Sequence, residues 1–118
     1  MNDCIFCKII NKEIPADFVY EDDNVFCFND IKPKAPVHIL ILPKKHLINL
    51  DSAEQSDSEL ISTLLLTAKK IASEKGISGA YKLTTNIGEK AGQTVFHMHF
   101  HLLGGWEGSE QVDSELKQ

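Results

Sequence analysis

Three of the five histidines in this chain lie at alternate positions of a short apolar run, QTVFHMHFHLLGG, which covers residues 93–105. Successive side chains of a β-strand point to opposite faces, so this spacing puts His97, His99 and His101 on one face, each about 7 Å from the next. The apolar residues between them would point to the other face, toward a core: Met98, Phe100 and Leu102. The pattern therefore predicts a row of imidazoles on one face of a half-buried strand.

Three interpretations of this row are open on the sequence alone. The histidines could be polar residues on a solvated face, or they could share one catalytic metal ion. A shared ion is difficult for a single strand, because the outer pair is about 13–14 Å apart at the backbone. In the third interpretation a neutral imidazole, with its usual pKa of about 6.5, attacks a phosphoryl group while its neighbours bind the phosphate oxygens. We favour this third interpretation.

The elements that must position these histidines follow from hydrophobic periodicity and turn signals. The predicted strands are Phe18–Glu21, Val25–Phe28, 37–43, 81–87 and 95–103. Residues 4–11 predict a short N-terminal helix, and residues 56–76 predict a long one, with a capping box of Ser56 and Glu59 and a terminal Gly76. The apolar face of the long helix is predicted to contain Leu60, Ile61, Leu64, Leu65, Ala68, Ile71 and Ala72. The order predicts an α+β fold in which an antiparallel sheet is covered by the long helix.

Composition bounds the class of protein. The chain has 118 residues, 42% of them hydrophobic and 25% charged, which suits one globular domain over residues 1–106 and a polar tail over 107–118. A net charge of −5 without a basic stripe disfavours nucleic-acid binding. No apolar window of about 18 residues predicts a membrane span, and the N-terminus lacks the pattern of a secretory signal. Three cysteines, an odd number, favour a reducing cytoplasm.

Several motifs together resemble one known family. The stretch His97-Met98-His99-Phe100-His101-Leu102-Leu103 resembles the signature of the histidine triad (HIT) family. The upstream segment NDIKPKAPVHILILPKKH and the N-terminal segment CIFCKIINKEIP resemble further blocks of its Hint branch. The resemblance runs from about residue 4 to residue 105 and keeps the order of the motifs. It implies a HIT-like antiparallel sheet with one long helix and a short N-terminal helix.

The resemblance also implies catalytic roles. HIT proteins of this branch are nucleotide hydrolases or transferases that act at the α-phosphate of a nucleoside monophosphate. His99 corresponds to the nucleophile that forms a nucleotidyl-histidine intermediate, and His101 to a ligand of the phosphate oxygens. His38 would support the triad from behind. Thr94 lies where Hint proteins often have serine, and its hydroxyl would donate to the phosphate or to the leaving atom.

A nucleotide-binding set follows from the same resemblance. Asp30 would accept the ribose hydroxyls, and an apolar slot for the base would be formed by Ile5, Phe6, Ile9, Phe28 and Ile31. Asn86 and Gly92 lie in a loop that would bring backbone N–H groups to the phosphate, where a glycine permits close approach. From composition alone these apolar residues are also compatible with an ordinary core, and the loop with a plain hairpin.

The cysteine pair Cys4-x-x-Cys7 is a separate motif. The pair alone could be a redox motif, half of a zinc site or a coincidence. Together with His46 and His97, it resembles the structural zinc site of a bacterial subset of the family, with four tetrahedral ligands. Cys27 is predicted to be an ordinary buried thiol.

The function that these resemblances imply is that of a cytoplasmic, homodimeric purine nucleoside phosphoramidase or dinucleoside polyphosphate hydrolase with a structural zinc ion. It would release an AMP-like nucleotide from a phosphoramidate or phosphoanhydride partner. Two alternatives from other classes remain open at this point: a zinc-dependent hydrolase in which the metal is catalytic, and a non-catalytic purine-nucleotide-binding scaffold.

Overall fold

A computed structural model describes residues 3–107, which form one antiparallel sheet with helices on both faces. The elements in chain order are α1 (Ile5–Ile10), β1 (Phe18–Glu21), β2 (Val25–Asn29), β3 (Val37–Pro43), α2 (Ser58–Glu74), β4 (Tyr81–Thr84) and β5 (Phe100–Gly104). The predicted α+β architecture is confirmed. The predicted polar tail lies outside the described residues, apart from Glu107.

The strand β3 is central to the sheet, whose strand order is β1-β2-β3-β5-β4 with every neighbouring pair antiparallel. Both faces of β3 are buried, which explains why its sequence is almost continuously apolar. Ile39 and Ile41 pack in the cluster under α2, whereas Leu40 and Leu42 pack in a second cluster with Phe6 of α1. The sheet therefore separates two small cores, and α1 closes the second of them.

The long helix α2 covers the first core with Leu64, Ala68, Ile71 and Ala72, all buried. Leu65, which the helical periodicity assigned to the same face, is instead 42% exposed at its margin. Gly76 follows the helix with φ +73°, as its predicted terminal position requires.

The predicted capping box of α2 is wrong, because the helix begins two residues later. A short 3₁₀ turn precedes Ser58, and the backbone N–H of Glu54 donates to the carboxylate of Asp57 at 2.9 Å. Lys45 Nζ pairs with the other oxygen of this carboxylate at 2.6 Å. Asp57 is thus the N-cap residue of α2, but its carboxylate binds Glu54 and Lys45 and makes no side-chain capping hydrogen bond to the helix.

The last two strands are also displaced from their predicted bounds. β4 ends at Thr84 rather than residue 87, and β5 begins at Phe100 rather than residue 95. The last pair between β3 and β5 is Ile41 with Phe100. Only two residues of β3 follow Ile41, and the second of them, Pro43, has no N–H to donate to a longer ladder. The backbone N–H of Met98 instead donates to the carbonyl of Leu47. Two of the three clustered histidines consequently precede the strand.

The predicted division of side chains between the two faces is nevertheless correct. Met98, Phe100 and Leu102 belong to the core under α2, on the face opposite the histidines. Within residues 3–107, no helix has both the length and the apolar character needed to cross a bilayer.

Candidate active site and metal centre

The three clustered histidines and His38 form a buried group. His38 lies on β3, His101 lies on β5, and the other two histidines lie just before β5. None of the four side chains is more than 3% exposed. Burial lowers the pKa of His101 to about 3 and that of His97 to about 4, and it also lowers the pKa of His38. These three rings are therefore neutral near pH 7, with one protonated and one unprotonated nitrogen each.

Hydrogen-bond partners assign the tautomers of His38 and His101. The backbone N–H of Lys34 donates to His38 Nδ1 at 3.0 Å, so the proton of this neutral ring is on Nε2. His38 Nε2 donates in turn to His101 Nδ1 at 2.9 Å. The proton of His101 must then be on its own Nε2, which is buried and has no hydrogen-bond partner within residues 3–107. The Nε2–H of His101 is thus left to donate a hydrogen bond to a ligand of the site.

His99 has the opposite tautomer. Its Nδ1 lies 2.7 Å from the backbone carbonyl of His97, and because a carbonyl only accepts, Nδ1 carries the proton. The Nε2 of a neutral His99 ring is therefore the unprotonated nitrogen. His99 and His101 are neighbours with ring centroids 5.2 Å apart, so a nucleophilic nitrogen and an N–H donor are brought to the same place.

Asp30 lies beside this group rather than on the open surface. Its Oδ1 accepts from the backbone N–H of Lys32 at 2.9 Å, and its Oδ2 is 3.4 Å from His38 Nε2. Oδ2 is buried without a hydrogen-bond partner in the described part of the chain. A buried carboxylate oxygen of this kind is suited to accept hydroxyl groups of a ligand.

The residues predicted to hold the base divide into two sets. Phe6, Ile9 and Phe28 are buried together in the second core. Ile5 and Ile31 are instead exposed, by 46% and 84%, and do not belong to this cluster. Phe6 connects this cluster to the histidines, because its ring packs edge-on against Phe28 at 5.5 Å and against His99 at 5.0 Å.

The predicted phosphate loop precedes the histidines, and Asn86 at its start is half-buried. Gly92 has φ +100°, a conformation that favours glycine. Thr94 is exposed and borders a groove of about 410 Å³ together with Ile5 and His46.

Gln93 is a residue of this loop that the sequence analysis missed. It is only 1% exposed, and its Oε1 accepts from the backbone N–H of Gly88 at 2.8 Å and from Asn49 Nδ2 at 3.1 Å. Its Nε2 donates to the carbonyls of Ile48 and Val95 at 2.7 and 3.1 Å. One side chain thus ties the loop to the segment after β3. A glutamine between glycine and threonine gives no periodic signal that would reveal this role.

Replacing Gln93 with alanine is expected to lower the free energy of unfolding by about 2–4 kcal/mol, because several buried polar groups lose their partner at once. Chemical denaturation followed by circular dichroism measures the loss. The exposed Gln55 provides the matched control, and Gln55→Ala should change stability by less than about 0.5 kcal/mol. Equal effects of the two substitutions would contradict the anchoring role of Gln93.

Cys4, Cys7, His46 and His97 form a second group, whose four ligand atoms all lie within 4.8 Å of one another. His97 Nδ1 is 3.4 Å from Cys4 Sγ, 3.5 Å from Cys7 Sγ and 3.1 Å from His46 Nδ1. Ligands about 2.0–2.3 Å from a tetrahedral zinc ion would be separated by about 3.3–3.8 Å. His97 Nε2 donates to the carbonyl of Pro43 at 2.7 Å, which leaves Nδ1 unprotonated for a metal. The donor set and its spacing therefore fit a metal ion.

Cys27 and the two lysines after β3 lie outside both groups. Burial raises the pKa of the Cys27 thiol to about 12, in agreement with the predicted ordinary buried cysteine. Lys44 pairs with Glu21 and Lys45 pairs with Asp57.

Comparisons with known proteins identify the family. The profile described as "Scavenger mRNA decapping enzyme C-term binding" matches residues 3–112. The chain is 52% identical over 103 residues to an uncharacterized HIT-like protein of Synechocystis, a match covering 87% of this chain and 90% of that protein. It is 44% identical to the protein HitA of Neisseria gonorrhoeae, over 88% of this chain and 97% of that one.

Solved structures agree with these matches. The structure of a HIT family hydrolase from Clostridium thermocellum superimposes with a TM-score of 0.88 at 43% identity, covering 95% of this chain and 98% of that one. A HIT family hydrolase from Legionella pneumophila gives a TM-score of 0.87 at 47% identity, covering 89% and 95% of the two chains. With a family profile over nearly its whole length, relatives of high identity and the buried histidine row at the expected place, the chain belongs to the histidine triad family.

Proposed function

We propose that this protein is a nucleotide hydrolase that releases a nucleoside monophosphate, such as AMP, from an amine or phosphate partner. The observation that carries the proposal is the pair of opposite tautomers at His99 and His101. A site for attack on phosphorus needs an unprotonated nitrogen next to an N–H donor for the phosphate oxygens, and these two rings supply both. Two of the similar solved structures are titled as HIT family hydrolases.

In the first step of the proposed reaction, the Nε2 lone pair of His99 attacks the α-phosphorus and forms a P–N bond. The P–N or P–O bond to the leaving group breaks, and the leaving group departs with the electron pair and takes up a proton. Water then attacks the same phosphorus, the bond to His99 breaks, and the nucleoside monophosphate is released. His101 Nε2–H donates to a non-bridging oxygen throughout, where negative charge develops.

The remaining predicted residues have binding roles in this proposal. Asp30 Oδ2, a buried acceptor, would receive the ribose hydroxyls. The exposed apolar side chains of Ile5 and Ile31 would cover the base, and the buried Phe6 would line the bottom of its site. Backbone N–H groups around Gly92 and the hydroxyl of Thr94 would contact the phosphate or the leaving atom. A purine is the base we propose.

We also propose that the group of Cys4, Cys7, His46 and His97 binds a structural zinc ion. Four protein ligands complete a tetrahedral shell, whereas a catalytic zinc ion keeps one position open for water or substrate. The ion would fasten α1 to the sheet and would take no part in bond breaking. This ligand set argues against a catalytic metal and leaves His99 available as the nucleophile.

A homodimer and a cytoplasmic location are further parts of the proposal. β4 is an edge strand of the sheet, its Tyr81 is 37% exposed, and Leu66 of α2 is 61% exposed. An unpaired edge with apolar side chains is suited to contact a second copy. None of the three cysteines forms a disulfide within residues 3–107, which is compatible with the reducing cytoplasm.

The proposed intermediate can be detected by mass spectrometry. The enzyme is mixed with adenosine 5′-phosphoramidate, stopped within its first turnover in alkaline denaturant, which preserves a phosphorus–histidine bond, and digested. We expect the peptide that contains His99 to carry the mass of one adenylyl group, and the same peptide to be unmodified without substrate. Turnover without any adduct, or an adduct on another residue, would contradict the proposal.

A further inference from the structure

His97 connects the metal centre directly to the proposed nucleophile. Its ring Nδ1 is one of the four metal-ligand atoms, and its Nε2 donates to the carbonyl of Pro43 at 2.7 Å. Its backbone carbonyl accepts the Nδ1–H of His99, also at 2.7 Å. The same residue therefore takes part in the metal centre through its side chain and fixes the tautomer of His99 through its main chain.

The peptide group that carries this carbonyl lies outside the sheet, because β5 begins only at Phe100. Sheet hydrogen bonds do not hold it in place. Its other polar end, the N–H of Met98, donates to the carbonyl of Leu47 at 2.6 Å. Leu47 follows His46, which is itself one of the four ligand residues. The peptide group is thus covalently part of the ligand residue His97, and it is hydrogen-bonded to Leu47, the neighbour of the ligand residue His46.

A second contact leads from the centre to the nucleophile through α1. Cys4 and Cys7 flank Phe6, whose ring packs edge-on against the His99 ring with centroids 5.0 Å apart. When both cysteines are bound to one ion, Phe6 is fixed relative to His46 and His97. The His99 ring is then confined by a hydrogen bond at Nδ1 and by an aromatic ring on its side.

We propose that the metal centre positions the nucleophile, with His97 as the positioning residue. This inference rests on the proposed function, since it assigns to the centre an effect on the step in which His99 attacks phosphorus. With the centre loaded, His99 is held as the Nδ1–H tautomer, and its Nε2 is presented to the substrate. With the centre empty, the 97–98 peptide group is held less firmly and His99 samples other orientations. Emptying the centre slows formation of the adduct more than it weakens nucleotide binding.

The exposed ligand residue His46 provides the test, because it belongs to the metal group and lies outside the proposed catalytic pair of His99 and His101. Wild type, His46→Ala and His46→Cys are compared at a free zinc concentration so low that only a four-ligand centre stays loaded, and the metal content of each sample is measured. Three further quantities are recorded: the single-turnover rate of adduct formation, the dissociation constant of a non-hydrolysable AMP analogue, and the ¹⁵N spectrum of the His99 ring, which reports its tautomer.

We expect His46→Ala to lose zinc and to form the adduct about tenfold to a hundredfold more slowly, the range seen when the support of a ligand residue is removed. Its affinity for the analogue should stay within about threefold of wild type, and its His99 spectrum should indicate a mixture of tautomers. His46→Cys supplies a thiolate as the fourth ligand and should restore zinc, rate and spectrum together.

The inference is overturned if zinc-free His46→Ala keeps the wild-type adduct rate and His99 spectrum. It is also overturned if analogue binding falls as much as the rate, because the centre would then only hold the fold together. If no adduct forms in any sample, the proposed function fails, but the His99 spectrum still decides the inference. A tautomer that changes with metal loading supports the coupling, and an unchanged tautomer refutes it.

Discussion

The variant His99→Ala is expected to lose roughly 10⁴–10⁶-fold in kcat on a nucleotidyl substrate, the size of loss seen when a nucleophile is removed from an otherwise complete site. The side chain is 3% exposed but belongs to neither apolar cluster, so the fold should remain. No neighbouring group replaces it, because the nitrogen that His101 directs into the site carries a proton. Steady-state kinetics with adenosine 5′-phosphoramidate measure the loss.

A matched variant separates loss of the nucleophile from loss of the site. His101→Ala removes one donor to the phosphate oxygens and should cost about 10²–10³-fold, less than His99→Ala. His99→Ala should retain binding of a non-hydrolysable AMP analogue, whereas His101→Ala should bind it more weakly because a phosphate donor is lost, and both should keep a cooperative thermal transition. If His99→Ala keeps the wild-type rate, or if His101→Ala is the more damaging of the two, the assignment of roles is wrong.

The face on which each histidine lies could be predicted, because alternation depends only on an extended backbone. Met98 and Phe100 point to the core under α2, and His99 points away from it, although the ladder begins only at Phe100. Similarly, the nearly continuous apolar run of β3 predicted a central strand covered on both faces. Burial of large apolar side chains determines these orientations and the central position of β3, and the order of apolar and polar residues in the sequence predicts that burial.

The hydrogen bonds that determine the chemistry could not be predicted. The proton on His101 is assigned by a chain that starts at the backbone of Lys34, and the proton on His99 by a carbonyl of the bend before β5. The carbonyl of His97 lies outside the ladder because β5 begins at Phe100 rather than at residue 95, a boundary that the apolar periodicity does not contain. The role of Gln93 depends in the same way on carbonyls from segments distant in the sequence. The resemblance suggested the four residues of the metal group, but the distances between their ligand atoms follow only from the folded structure.

Replacing Cys7 with alanine is expected to remove the part of the stability that depends on zinc. An ion that binds only the folded chain adds about 3–4 kcal/mol to the free energy of unfolding when its free concentration is a hundredfold to a thousandfold above the dissociation constant. Cys7 is a buried member of the ligand group, and its Sγ is 3.3 Å from His46 Nδ1. Without this thiolate the tetrahedral shell is incomplete. Denaturation with buffered zinc and with a chelator measures the zinc-dependent difference.

The control is Cys27→Ala, which removes a thiol that is fully buried and does not belong to the ligand group. Its stability should fall under both conditions because a cavity is created, yet the difference between zinc and chelator should equal that of wild type. Cys7→Ala should instead unfold alike under both conditions. If Cys7→Ala kept the full difference, the ion would be bound by other residues. If wild type itself had no difference, the four donors would be joined only by hydrogen bonds, and α1 would be held to the sheet by the packing of Phe6 and Ile9 alone.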